Sequence, residues 1–141
     1  MILWMVLIFN MSSKIAEDSS RMSTGITEII IKMIVKIIPS VDIDIGSFNH
    51  IIRKNAHFIA YLVLGVLALN ALRRNEVYGY RNLALAIGIC ILYAISDEVH
   101  QLFVPGRAGQ VRDVILDSAG AAVGIGAYLL ICKLIKRRRV R

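Results

Sequence analysis

The sequence has few cysteines and none of the short cysteine or histidine spacings that hold a structural metal. Its two cysteines, Cys90 and Cys132, each lie within an apolar stretch, without a CxxC or CxxH motif. A zinc site and a disulfide framework therefore find no support, and both cysteines are predicted to be small core residues. The sequence also lacks an RNA- or DNA-binding motif, so nucleic acid is not an expected partner.

Polar sequence is also too scarce for a soluble domain of this size. Hydrophobic residues make up 57% of the 141 residues, and the mean hydropathy is +0.65, whereas typical soluble domains are roughly 45–50% apolar. A small soluble domain cannot bury that much apolar surface, so lipid is the favoured solvent. The composition predicts an all-α integral membrane bundle that forms a single domain.

Four apolar segments are predicted to be transmembrane helices, at approximately residues 1–11, 56–72, 82–104 and 113–135. The first is short, because crossing the hydrocarbon takes about 20 residues. It also lacks the basic start and small-residue exit of a signal peptide. Two explanations stay open: the helix inserts partway and thins the bilayer, or the true start codon lies upstream.

A further helix is predicted over residues 25–38. Glu28, Lys32 and Lys36 recur there at a spacing of four on one helical face, and nearly all other positions are Ile, Met or Val. This pattern is typical of a helix that lies in the membrane interface. The alternative is an amphipathic helix that packs onto the bundle. Residues 41–50 are predicted to connect it to the next span.

Basic residues predict the orientation of the chain in the membrane. The formal net charge is +7, five basic residues close the chain within residues 136–141, and the turn at 73–81 carries three arginines. Alternating spans place both groups on one side, which the positive-inside rule makes cytoplasmic. The N-terminus is then cytoplasmic as well, and residues 12–54 and 105–112 face outward.

Ionisable side chains within the apolar helices are the main functional signal, because charge is costly in lipid. His57 and Tyr61, Asp97 and Gln101, and Asp113 and Asp117 are each four residues apart, a spacing that places both members on one helix face. All three pairs fall at the outward ends of their helices and are expected to meet. The candidate catalytic residues are His57, Asp97, Glu98, Gln101, Asp113 and Asp117. The candidate ligand-binding residues are Arg53, Lys54, Tyr61, Arg107 and Arg112.

The chemistry of this predicted cluster has three interpretations. Two or three of its carboxylate oxygens could hold a divalent cation such as Mg²⁺. A carboxylate with His57 could instead act as an acid–base pair, or an ion-pair network could merely fix the helix packing. Gly120 and Gly124 continue the stripe of Asp113 and Asp117, and their GxxxG pattern lets a neighbouring backbone approach closely.

Three segments of the sequence resemble the VanZ-like family: RKNAHFIAY at 53–61, AISDEVHQLFVPGR at 94–107 and DVILDSAG at 113–120. The serines that follow the first span, Ser12 and Ser13, also fit that family's pattern, although Lys14 stands where glutamine is expected. The resemblance implies a small multi-span membrane protein. The namesake of the family is associated with low-level resistance to the glycopeptide antibiotic teicoplanin, but the likeness does not define a biochemical activity.

Three functions are therefore compared. The first is a cell-envelope protein whose outward polar site binds or modifies a membrane lipid or a lipid-linked envelope precursor. The second is a non-enzymatic membrane factor in which the polar cluster only holds the bundle together, so whether the chain is an enzyme stays open. Ion or proton transport is weaker, because the inner halves of the helices carry no ionisable relay before Lys133.

Overall fold

The computed structural model describes residues 1–13, 45–75, 79–105, 107 and 109–139. The helices in these ranges are α1 (Ile2–Ser12), α2 (Ile45–Arg74), α3 (Gly79–Gln101) and α4 (Val111–Arg139). No strand occurs in the described ranges, which confirms the all-α prediction. The amphipathic helix predicted over residues 25–38 lies outside them.

Three of the helices contain segments that are long and apolar enough to cross a membrane: His50–Arg74, Gly79–Gln101 and Val111–Lys136. Only 28–33% of each span is buried within the protein, and large apolar side chains such as Leu92 and Ile115 point outward. This outward apolar surface fits a bundle solvated by lipid. By contrast, α1 has 11 residues, which rise about 16 Å against a hydrocarbon thickness of about 30 Å.

The predicted helix boundaries need correction at several points. Residues 45–50 were expected in a connector but belong to α2, which begins 11 residues before the predicted span at 56–72. The next helix ends at Gln101 instead of residue 104, because the backbone preceding Pro105 is disfavoured in the α conformation and the chain turns there. The last helix begins at Val111, so Arg112 lies on α4 rather than in the loop.

The core between the helices is narrow because α3 contributes mainly small side chains to it. Ala86, Cys90 and Ala94 recur every four residues on α3, and all are fully buried. Opposite them lie larger side chains from the other helices: Ile8, Tyr61, Leu64, Leu69 and Ile125. This pattern confirms Cys90 as a small core residue, whereas Cys132 is only partly buried.

The closest helix contact joins α2 to α4 through glycine. A Cβ atom added at Gly120 would lie 2.5 Å from the carbonyl oxygen of Phe58, and one added at Gly124 would collide with the carbonyl oxygen of Leu62. In return, Gly65 of α2 faces the backbone of Ala121. The predicted GxxxG contact is therefore present, and it brings the carboxylate face of α4 against α2.

Candidate functional site

The polar cluster lies where α3 ends and α4 begins, here called the Pro105 end of the bundle. Counting about 1.5 Å of rise per residue, His57, Asp97 and Asp117 lie roughly 6–11 Å within their spans. They therefore lie at similar depths on three different helices. The glycine contact between α2 and α4 extends from this level into the bundle, so the backbone packing positions the cluster.

His57, Asp97 and Asp117 form the centre of the site. The His57 Nδ1 atom lies 3.6 Å from Asp117 Oδ2 and 4.0 Å from Asp97 Oδ2. One possible ligand atom from each of the three residues falls within 4.8 Å of the others. The two aspartates are buried and the imidazole is nearly so. The sequence prediction that polar groups from separate spans converge agrees with this geometry.

Several buried oxygen atoms in and beside this centre have no hydrogen-bond partner among the described residues. They are Asp97 Oδ1, both carboxylate oxygens of Asp117, and the hydroxyl of Tyr61. Tyr61 is fully buried one helical turn along α2 from His57. Buried polar atoms are nearly always paired in folded proteins, so this group of unpaired acceptors needs a donor or a cation.

The short helix α1 also contributes to the site. Ser12 donates a hydrogen bond of 2.8 Å to Asp97 Oδ2, and the Ser13 hydroxyl lies 3.0 Å from His100 Nε2. The Phe9 ring contacts His100, with ring centroids 4.3 Å apart. Sequence reasoning missed both serines as site residues. The signal for them was the serine pair that fits the VanZ-like pattern.

A second polar network adjoins the first at the end of α3. The Gln101 side-chain amide donates to Asp97 and Glu98 at 3.4 and 3.3 Å, and its oxygen accepts a 3.3 Å hydrogen bond from Arg107. The backbone N–H of Gln110 donates to Glu98 Oε2 at 2.8 Å. Glu98 is therefore tied to the loop before α4, and Gln101 bridges this network to the cluster.

The Arg107 guanidinium, which belongs to the second network through its hydrogen bond to Gln101, is half-buried. Burial lowers its pKa below the ordinary value, and the nearby positive charge of Arg53 lowers the pKa further, whereas Asp97 and Glu98 raise it. An arginine remains charged at physiological pH in spite of such shifts. Arg107 therefore supplies fixed positive charge beside the carboxylates.

Asp113 does not join the central cluster. Its carboxylate accepts a 2.6 Å hydrogen bond from Lys54 Nζ in an ion pair that is partly exposed. The pair forms part of the wall of an open groove of about 530 Å³ between α2 and α4, together with His50 and Arg112. Apolar groups complete the wall, among them Ile51, Ile115 and Leu116. Arg53 lies 3.2 Å from His50 Nδ1.

The predicted site residues thus divide into three groups. His57, Asp97 and Asp117 meet at the centre, with Tyr61 beside them. Glu98, Gln101 and Arg107 form the second network. Lys54, Asp113 and Arg112 line the groove, and Arg53 lies near it on α2. The geometry brings these residues to one end of the bundle; their catalytic and ligand-binding roles remain predictions.

These features define a small multi-span helical membrane protein with a buried histidine–aspartate cluster at one end. The sequence model of the VanZ/LLP1 family matches residues 1–133. The chain therefore belongs to the VanZ-like family, as the sequence motifs predicted. No curated protein and no solved structure matches it significantly.

Proposed function

We propose that this VanZ-like membrane protein binds an anionic envelope lipid, or the anionic headgroup of a lipid-linked envelope precursor, at the Pro105 end. The groove between α2 and α4 is the observation that carries this proposal. Its basic residues, Lys54 and Arg112, suit a phosphate-bearing headgroup, and its apolar wall suits an acyl or isoprenyl chain. Charged residues beside an apolar groove are what an amphiphilic ligand requires.

The neighbouring polar networks would act on the bound headgroup. In this proposal His57 exchanges protons with Asp97 or Glu98, and Arg107 attracts an anionic group. Asp117 orients the imidazole or a cation, and Asp113 holds Lys54 at the groove. The site would act on the headgroup and not on the acyl chain, since the cluster lies near the ends of the candidate spans and not at their middle.

The orientation of the chain in the membrane is part of the same proposal. The Pro105 end faces outward when the turn after Arg73 and the basic C-terminus are cytoplasmic, as the positive-inside rule favours. An outward site would meet lipid-linked precursors where the envelope is assembled and where glycopeptides act. The namesake of the family is associated with teicoplanin resistance, and a site on the surface where glycopeptides act supports the same link for this protein.

Lipid binding is tested by neutralising one charge of the groove. We expect Arg112→Gln to weaken binding of a short-chain phosphatidylglycerol to the detergent-solubilised protein about fivefold, as the loss of roughly 1 kcal/mol per basic residue implies. Calorimetric titration measures this affinity. Lys136→Gln, which removes an exposed charge near the other end of α4, is the matched control. Equal affinities of both variants, or equal binding of phosphatidylcholine, would contradict the proposal.

The alternative function is a membrane factor in which the same residues only lock the helices together. The hydrogen bond from Ser12 to Asp97 and the ion pair between Lys54 and Asp113 favour this reading, because each joins two different helices. In that case, variants of the cluster should lose protein abundance in proportion to any loss of phenotype. A stable but inactive variant would exclude it.

Teicoplanin susceptibility separates the two functions. We expect the double variant Asp97→Asn/Glu98→Gln to return an expressing host to the susceptibility of the empty-vector strain, because the acid–base groups are lost while side-chain size is kept. The minimum inhibitory concentration is measured together with the membrane abundance of the protein. If the variant keeps full resistance at normal abundance, the proposal of a functional cluster is wrong. If the variant loses resistance and abundance together, the structural alternative is favoured.

A further inference from the structure

We infer that His57, Asp97 and Asp117 form a binding site for a divalent transition-metal ion such as Zn²⁺ or Mn²⁺. Each residue comes from a different helix, and their possible ligand atoms lie within 4.8 Å of one another. Backbone contact at Gly120 and Gly124 holds α4, which carries Asp117, against α2, which carries His57. Two of the three ligands are therefore held by closely packed helices.

The distances between the ligand atoms fit such an ion. Bonds of about 2.0–2.1 Å in tetrahedral geometry place neighbouring ligand atoms about 3.3 Å apart. The His57 Nδ1 atom lies 3.6 Å from Asp117 Oδ2 and 4.0 Å from Asp97 Oδ2. One possible ligand atom from each residue lies within 4.8 Å of the others, about 1.5 Å or less beyond that spacing, so the side chains would close around a bound ion.

The unpaired oxygen atoms are an independent argument for a cation. In the part of the chain that the structure describes, Asp117 Oδ1 and Asp97 Oδ1 are buried without a hydrogen-bond partner, and Asp117 Oδ2 has only the His57 imidazole, at 3.6 Å. A network that serves only to hold helices together is expected to pair its polar atoms, since an unsatisfied buried group costs roughly 1–3 kcal/mol. A single imidazole cannot satisfy two carboxylates. A divalent cation can.

The surrounding contacts determine which residues and which metal belong to the site. Asp113 is paired with Lys54, and Glu98 accepts the backbone N–H of Gln110, so both are engaged elsewhere. The remaining set, one imidazole and two carboxylates, suits Zn²⁺ or Mn²⁺ better than Mg²⁺, which prefers oxygen ligands. Three protein ligands also leave a coordination position open.

Residues around the ligands form hydrogen bonds of the kind that surround metal sites. Ser12 donates to Asp97 Oδ2 from α1, and Gln101 donates to the same oxygen from one turn along α3. These hydrogen bonds occupy Oδ2 and fix the orientation of the carboxylate, so Asp97 Oδ1, which has no hydrogen-bond partner among the described residues, is the oxygen left for an ion. The metal site goes beyond the proposed lipid binding and does not depend on the groove, because its ligands are separate from Lys54 and Arg112. It replaces the proton exchange proposed for His57 and Asp97, because both residues are ligands when an ion is bound.

Metal binding is tested on the full chain, purified in detergent and stripped with a chelator. We expect calorimetry and elemental analysis to find a single Zn²⁺ or Mn²⁺ per chain, and Asp117→Asn to weaken binding by roughly 100-fold or more, since it removes a ligand. Asp113→Asn, one helical turn away on α4, should bind the ion as the wild-type protein does. Titration without lipid keeps this outcome separate from that of the groove.

A second measurement distinguishes the loss of a metal ligand from the misfolding of a variant. Co²⁺ bound to the wild-type protein should give the visible absorption of a tetrahedral nitrogen–oxygen site, and His57→Gln should abolish that absorption while helicity is retained. Binding of Mg²⁺ alone, binding unchanged by Asp117→Asn, or no binding to the wild-type protein would each overturn the inference.

Discussion

Replacing Gly124 by alanine is expected to lower the free energy of unfolding by about 3 kcal/mol, the upper part of the range for an overpacked interior. The added Cβ atom would collide with the carbonyl oxygen of Leu62, and backbone cannot move aside as a flexible side chain can. The helices α2 and α4 must then separate. Unfolding by a denaturing detergent, followed by circular dichroism, measures the change.

Gly126 provides a matched control for this prediction. It lies on the same helix two residues further on, it is exposed, and a Cβ added there meets nothing within 4 Å. Gly126→Ala is therefore expected to be neutral or to stabilise the helix by up to about 1 kcal/mol through helix propensity. Equal effects of the two substitutions would show that the glycine contact does not hold α2 against α4.

Asp117→Asn and His57→Leu are expected to change stability in opposite directions when the metal has been removed with a chelator. The central cluster contains two carboxylates, of Asp97 and Asp117, and one imidazole, of His57. Losing Asp117 leaves a balanced pair of His57 and Asp97, and removes a carboxylate whose oxygens lack partners among the described residues. We expect a gain of roughly 1–2 kcal/mol, because each buried ion carries a desolvation cost of several kcal/mol.

His57→Leu should instead destabilise the protein by about 3 kcal/mol or more, because two buried carboxylates then face each other without their shared counter-charge. Thermal unfolding in detergent with excess chelator compares both variants with the wild type. A gain of stability that accompanies a loss of metal binding is the trade-off expected of a functional site. If Asp117→Asn is the less stable protein, the cluster serves the bundle and not a ligand.

The fold could be predicted largely from hydropathy, because each long helix is nearly continuous in apolar residues. The three long spans follow from that pattern, and the contact at Gly120 and Gly124 follows from their GxxxG spacing on the face of Asp113 and Asp117. The start of α2 could not be predicted. Gly46, Ser47 and Asn49 are poor helix formers, and their polarity resembles a loop, but no proline interrupts the chain between residue 39 and residue 105, so the helix can extend over them.

The centre of the site could also be predicted, because a charged residue in lipid is rare and its spacing on a helix fixes its face. Each of the three central residues, His57, Asp97 and Asp117, is an ionisable residue within an apolar helix. Ser12 does not: a hydroxyl carries no charge, and 85 positions separate it from the carboxylate that it contacts. Contacts made by backbone groups, such as the N–H of Gln110 with Glu98, leave no signal in a side-chain pattern.

The shallow position of the cluster has a consequence for the biogenesis of the protein. A charged group at the middle of the bilayer costs roughly 2.5–3.5 kcal/mol during insertion by the translocon, and charged groups near the ends of a span can reach the interface. Asp97 and Glu98 lie within the last five residues of α3, so they can stay hydrated while α4 is still being synthesised. We therefore expect Asp97 and Glu98 to enter the membrane at little energetic cost and to lose their water when α4 docks.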